Sequence, residues 1–185
     1  PLVSWDLPTP ADEDSVNADG VYLNVTVTDD TETSAFFDWN YSLIAYWSMD
    51  FNSSSGVHDN SSYNHLGTLY GAMSSENITD GKFGKALKFD SNTGNYLRVT
   101  NTDDLNIQDA ITIAAWVKPE DFDGDDVRIV EKGWSNSGSY ILWLDDKWAT
   151  YGIEWALMNT TGTTGKVAVG NVVDINEWQY IVGTW

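Results

Sequence analysis

Apolar and polar positions alternate with a period of two through much of this chain, the pattern of strands with one buried face. Near the start, Val21-Tyr22-Leu23-Asn24-Val25-Thr26-Val27-Thr28 is the clearest case. A second short run, Ala35-Phe36-Phe37-Asp38-Trp39, follows an acidic turn at Asp29-Asp30-Thr31-Glu32. From Leu43 onward the signals come at short, regular intervals. They are Leu43 to Met49, Leu66 to Ala72, Ala86 to Phe89, Tyr96 to Thr100, Ile111 to Lys118, Val127 to Glu131, Tyr140 to Leu144, Tyr151 to Met158, Lys166 to Val169 and Trp178 to Trp185. No segment sustains a 3.6-residue apolar repeat, and one short helical turn at Thr102 to Leu105 is the most the pattern allows. Short strands at this spacing predict an all-β antiparallel sandwich rather than an α/β fold.

Ten Trp, nine Tyr and six Phe agree with strands, and 185 residues suffice for one sizeable core with a short extra piece. Asp and Glu total 28 against nine Lys and Arg, for a net charge of −19, and no basic residue precedes Lys82. That balance argues against a nucleic acid or an anionic membrane as partner. Solvated acid on a secreted protein is the plain reading, and oxygen ligands for a divalent cation are the more specific one. The chain has no Cys, which excludes disulfides and thiolate metal sites. No apolar run reaches the ~20 residues of a membrane-spanning helix. The chain begins at Pro1 without a signal-peptide pattern, so its natural start is expected upstream.

Residues 1–42 read as a separate, smaller element. Pro8-Thr9-Pro10-Ala11-Asp12 has the turn chemistry of a domain entry, and two or three strands are too few for an independent sandwich. These pieces resemble the opening strands of an immunoglobulin-like module. Residues 43–185 carry a second, ordered set of motifs: Ala45-Tyr46-Trp47-Ser48-Met49-Asp50, then Asp59-Asn60-Ser61-Ser62-Tyr63-Asn64-His65-Leu66-Gly67, then Gly81 to Asp90, and finally Thr112-Ile113-Ala114-Ala115-Trp116-Val117-Lys118-Pro119. In that order and spacing they resemble the laminin-G-like, concanavalin A-like lectin and glucanase family. The resemblance implies a jelly-roll β-sandwich over residues 43–185, with the family's last strands expected beyond Trp185.

It also implies a structural calcium at the sandwich edge. Asp59 and Asp90 would supply oxygens, with Asp50 and Asn60 close by and loop carbonyls completing the shell. The residues allow another reading, in which Asp59 and Asn60 cap the turn through side-chain hydrogen bonds to the backbone. The acidic hairpin at Asp121, Asp123 and Asp125 fails as an EF-hand, because Asp126 and Lys132 stand where Gly and Glu are needed. His58 and His65, without thiolates or a third His, do not make a zinc site.

The same family houses glucanases that cleave with two carboxylates on one strand face. In Tyr151-Gly152-Ile153-Glu154-Trp155-Ala156-Leu157, Glu154 has no acid two residues away, and Asp145-Asp146 would point to opposite faces. A catalytic role is therefore not expected. Trp47, Trp116 and Trp178 sit in apolar alternation and are expected in the core. Trp134, Trp143, Trp148 and Trp155 lie nearer loops and strand ends. Of these, Trp134 and Trp148 are the candidates for stacking on sugar rings. Six Asn-X-Ser/Thr sequons, at Asn24, Asn40, Asn52, Asn60, Asn77 and Asn159, are about twice the number expected from composition. Together these features predict a non-catalytic extracellular or cell-surface adhesion module within a longer chain. It would bind carbohydrate or a protein partner with calcium ordering its loops; the alternative is an architectural spacer of a surface layer or stalk.

Overall fold

The computed structural model describes residues 2–7, 24–28, 38, 41–50, 52–53, 56–90, 93–121, 127–133, 139–145, 152–158, 164–170 and 172–185. The chain divides into two compact units, Pro1–Ser42 and Leu43–Trp185. In the first, β1 (Leu2–Asp6) pairs antiparallel with β2 (Asn24–Thr28), running from Leu2 opposite Thr28 to Asp6 opposite Asn24. Val25 and Val27 share the less exposed face of β2, as the alternation requires. β1 adds to the sequence reading, since Leu2-Val3-Ser4-Trp5-Asp6 is short and mixed. The expected strand at Ala35 to Trp39 lies outside the described residues except Asp38, which is not in a strand. One hairpin is common to many folds and does not identify an immunoglobulin-like module.

The second unit is all-β. Two short strands, β3 (Asn52–Ser53) and β4 (Gly56–Val57), lead to β5 (Gly67–Tyr70), and the hairpin β6 (Ile78–Asp80) and β7 (Lys85–Leu87) is followed by β8 (Tyr96–Val99). These give a four-stranded sheet in the order β3-β4-β5-β8 beside the β6-β7 pair. Next come β9 (Thr112–Val117), β10 (Val127–Lys132), β11 (Ser139–Asp145), β12 (Gly152–Met158), β13 (Thr164–Val169) and β14 (Gln179–Thr184). β10 to β13 form an antiparallel meander, and β14 pairs with β9. The strands expected from Leu66 onward are present within a residue or two, and the helical turn appears as a 3₁₀ turn at Asp103–Leu105, with another at Ser75–Asn77 that the apolar pattern does not predict.

The core lies between the meander and the β9–β14 ladder. Tyr140, Leu142 and Leu144 of β11 and Trp155 and Leu157 of β12 are buried with Ile111, Val173 and Ile181. Trp155 holds the two layers in register. Its ring lies against the backbone of Gly183, where an added Cβ would come within 2.8–3.2 Å of the ring atoms. Its Nε1 donates to the Thr184 carbonyl at 3.2 Å. Trp185 repeats the device, its ring occupying the space above Gly165. β11 and β12 bury their other face as well, through Ile141, Trp143 and Ala156, which explains the unbroken apolar run in β11.

One tryptophan, Trp116, reverses the expectation from sequence, and two placed near strand ends, Trp143 and Trp155, prove interior. Trp155 is 5% and Trp143 3% exposed, both interior, whereas Trp116 is 40% exposed on the outer face of β9. Ile113 and Val117 pack on the core, so Trp116, one residue off their period, must point outward.

Leu43 to Met49 is not a strand. Its backbone groups go to a loop instead: Asn60 N donates to the Tyr46 carbonyl at 2.7 Å, and Tyr46 N donates to Asp59 Oδ1 at 2.8 Å. Asp59 is the centre of that loop. Oδ1 also accepts from Ser61 N at 2.8 Å, while Oδ2 accepts from Ser61 Oγ at 2.7 Å and His65 N at 2.8 Å. Burial pushes the Asp59 pKa up, but the hydrogen bonds from Tyr46, Ser61 and His65 outweigh it and hold the carboxyl below its ordinary range.

Two predictions follow from this packing and this loop. Gly183→Ala should lower the unfolding free energy by about 2 kcal/mol, read by denaturant titration, because the Trp155 ring cannot move away from a new methyl group. Asp59→Asn should cost about 3 kcal/mol at neutral pH, since it leaves buried donors facing an amide nitrogen. A carboxyl whose native pKa is lowered stabilises the fold fully above its unfolded value of about 4 and loses that contribution as pH falls through the native value. The difference in melting temperature between wild type and Asp59→Asn should therefore be widest above about pH 5 and shrink below about pH 4. A constant gap across that range would disprove the role given to the charge.

Candidate functional site

A carboxylate offers about four lone-pair positions, and Asp59 fills all four with donors from its own loop and from Tyr46. As placed here Asp59 does not fit a calcium ligand, and it caps the turn. Asn60 follows the same logic, its Oδ1 accepting from Ser48 Oγ at 3.1 Å. Asp50 Oδ1 accepts from Lys85 N at 2.7 Å, and its carboxylate lies where a side chain at Gly84, with φ +56°, would stand. Asp90 is exposed, and its carbonyl accepts from Thr93 N at 3.3 Å. Asp59, Asn60 and Asp50 are linked through Tyr46 and Ser48 into the hydrogen bonding of the loop itself. Among the described residues no group of three or more His, Asp or Glu side chains is placed to hold a metal ion.

The same loop builds a cleft. Asn64 takes a left-handed conformation, φ 58°, which Asn tolerates better than most residues and which turns the chain into buried His65. His65 is fixed on every side: its N–H donates to Asp59, its carbonyl accepts from Trp47 Nε1 at 2.7 Å, and its ring stacks on Tyr63 at 5.9 Å. Its Nε2 lies 2.7 Å from Asp104 Oδ2. Asp104 sits on the 3₁₀ turn that buried Leu105 anchors. A hydrogen bond from Thr102 first, and the neighbouring His65 with it, keep the Asp104 carboxyl below its ordinary pKa. Asn64, His65, Leu66, Thr68, Val99, Thr100 and Thr102 line a cavity of about 230 Å³.

From this cavity the outer face of β5 and β8 continues as a strip. In the ladder Thr68 stands opposite Arg98, and Tyr70 opposite Tyr96. Leu69, Leu97 and Val99 alternate to the half-buried side, so Thr68, Tyr70, Tyr96 and Arg98 share the exposed one. The two tyrosine rings stack at 5.0 Å with an interplanar angle of 3°. The Arg98 guanidinium carbon lies 5.9 Å from the centroid of the Tyr70 ring. The strip was not singled out from sequence, although Tyr96-Leu97-Arg98-Val99-Thr100 carries its signal: the polar positions of the alternation are filled by an aromatic, a cation and a hydroxyl.

A second exposed aromatic group lies on the outer face of β9 and β14. Trp116 faces Tyr180 across the ladder at 5.2 Å, Phe83 meets Trp116 edge-on at 5.7 Å, and Lys82 Nζ is 5.6 Å from the Trp116 ring. Glu154, the acid weighed for catalysis, is 4% exposed and ion-paired to Lys166 Nζ at 2.6 Å. Its ladder neighbours are Trp143 and Ala168. Trp134 and Trp148 lie outside the described residues, as do the sequons at Asn40 and Asn159. Asn24 Nδ2 donates to the Leu7 carbonyl at 3.2 Å. Asn77 closes a capping box with Ser74 and donates to the Lys88 carbonyl, Asn52 lies in β3, and Asn60 is exposed.

Comparison with known proteins places this architecture. No curated protein and no solved structure matches the chain. Residues 90–185, just over half of it, match a laminin G-type family model described as the concanavalin A-like lectin/glucanases superfamily. The match takes in β8 to β14, and with it the core, half of the exposed strip and the whole outer face of β9 and β14. The chain belongs to the concanavalin A-like lectin/glucanases superfamily.

Proposed function

We propose that the chain is a non-catalytic carbohydrate-binding module of a modular extracellular protein, and that its glycan lies across the outer face of β5 and β8, from the His65 cavity to the tyrosine pair. The observation that carries this reading is the continuity of that face. A cavity lined by three threonines and an asparagine lies at one end of a strip that carries two parallel, stacked tyrosine rings. Sugars need both, since their hydroxyls seek small polar groups and their C–H faces seek aromatic rings. Thr68 belongs to the cavity lining and to the strip, and side chains two apart on a strand are about 7 Å apart, so adjoining sugar units can use the two ends. Glu154 supports the non-catalytic part, because a carboxylate buried against Lys166 is not free to protonate or attack a glycosidic bond.

A second reading, docking of a protein, is favoured by the Phe83, Trp116 and Tyr180 group on the other exposed face, since large exposed aromatics are typical of interface centres. Surface substitutions separate the two. In titrations against a glycan panel, Tyr96→Ala should weaken binding about tenfold, whereas Tyr180→Ala should leave it unchanged. Binding should also persist in chelator, given the role of Asp59 as a turn cap. A folded protein that binds no glycan on a broad panel would sink the carbohydrate reading and leave the protein-docking one.

A further inference from the structure

We infer that the glycan held on β5 and β8 is acidic, with the carboxylate of a uronic-acid unit taken by Arg98. This rests on the carbohydrate reading of the same face and adds the charge of the sugar. The chain has two arginines. Arg128 is satisfied by Glu131 at 2.9 Å. Arg98 has no carboxylate within ion-pairing distance among the described residues, and its guanidinium lies by the Tyr70 ring. Lys82 and Lys118 are likewise without a carboxylate partner among the described residues, whereas the other arginine and three lysines are paired. Lys85 has Asp80, Lys88 has Glu120 and Lys166 has Glu154.

The surroundings of Arg98 explain what it is isolated for. Its cross-strand neighbour Thr68 is neutral, its neighbour toward the cavity is Thr100, and its neighbour toward the far end is Tyr96. No acid is among the described residues lining the cavity, and Asp104, two residues beyond Thr102 of its wall, lies 2.7 Å from His65 Nε2. The guanidinium lies within cation–π range of the Tyr70 ring on the exposed side of β8. A planar fork placed this way matches a carboxylate in a two-point contact, and the ring bearing that carboxylate would meet the tyrosine pair with its C–H face. The overall charge of −19 does not cancel this contact, because at physiological salt charges farther than about 8 Å are screened.

The test is a titration of the full chain with uronate oligosaccharides of several linkages, each beside its carboxyl-reduced neutral counterpart and a sulfated form of that counterpart. The acidic form should bind about tenfold more tightly than the neutral one. Arg98→Gln should erase that advantage without weakening the neutral sugar, and Arg98→Lys should restore part of it. Equal affinity of acidic and neutral forms would overturn the inference and leave the carbohydrate reading intact. So would an equal loss for both forms in Arg98→Gln, which would make Arg98 a prop for Tyr70. A sulfated form as tight as the uronate would show that charge alone is read, and would also overturn it. If no form binds, the carbohydrate reading itself falls.

Discussion

The buried carboxylate of Asp59 is the constraint on which the rest of this surface depends. An ionised group placed in a loop must be matched by donors or the loop will not close, and here the four donors come from three points of the chain. Tyr46 N fixes the segment that precedes β3, the Ser61 hydroxyl and amide fix the turn, and His65 N fixes the entry to β5. Once its backbone is held, His65 has its ring directed at Asp104 and its carbonyl at Trp47. The cavity wall is thus a consequence of satisfying one acid. The same matching uses up the lone pairs a cation would need, so turn-building and calcium binding compete for Asp59, and the turn has it.

Much of the fold was legible in the sequence because strand alternation reports burial directly. β9 shows the limit of that signal. Thr112 to Val117 was correctly read as a strand, yet its residues are apolar on both faces, and alternation alone did not say that Ile113 and Val117 rather than Trp116 face the core. Trp155 shows a different limit. Nothing near it in sequence shows that Gly183, twenty-eight residues on, offers the bare backbone on which its ring rests. Leu43 to Met49 was misread for a third reason: its apolar residues suit a strand, but its hydrogen-bonding groups are claimed by Asp59 and Asn60 from outside any ladder.

The candidate site was less legible than the fold, and for a physical reason. Asp59, Asn60, Asp50 and Asp90 stand out in sequence because carboxylates and amides in a loop look like oxygen ligands. In the folded chain the same groups are the ones that satisfy turns and strand ends, which is the commoner use of such residues. The strip on β5 and β8 is the reverse case. Tyr70 and Tyr96 are separated by twenty-five residues and become a stacked pair only through the register that places Thr68 opposite Arg98. A pairwise juxtaposition set by strand register leaves little trace in a single sequence.

The architecture also separates what holds the molecule together from what it offers to a ligand. The stabilising contacts lie between the meander and the β9–β14 ladder, where Trp155, Leu142, Leu157 and Ile181 are nearly inaccessible. The strip on β5 and β8 carries its ligand-facing groups on the exposed side, while Leu69, Leu97 and Val99 on the opposite side do the packing. Thr68, Tyr96 and Arg98 can then vary at little expense to the fold, because none of them fills the core or caps a buried charge. His65 is the exception, since it lines the cavity, is hydrogen-bonded through its backbone to Asp59 and Trp47, and has its ring against Asp104. A change of specificity would therefore arise along the strip, and a change at His65 would disturb the cavity and the loop together.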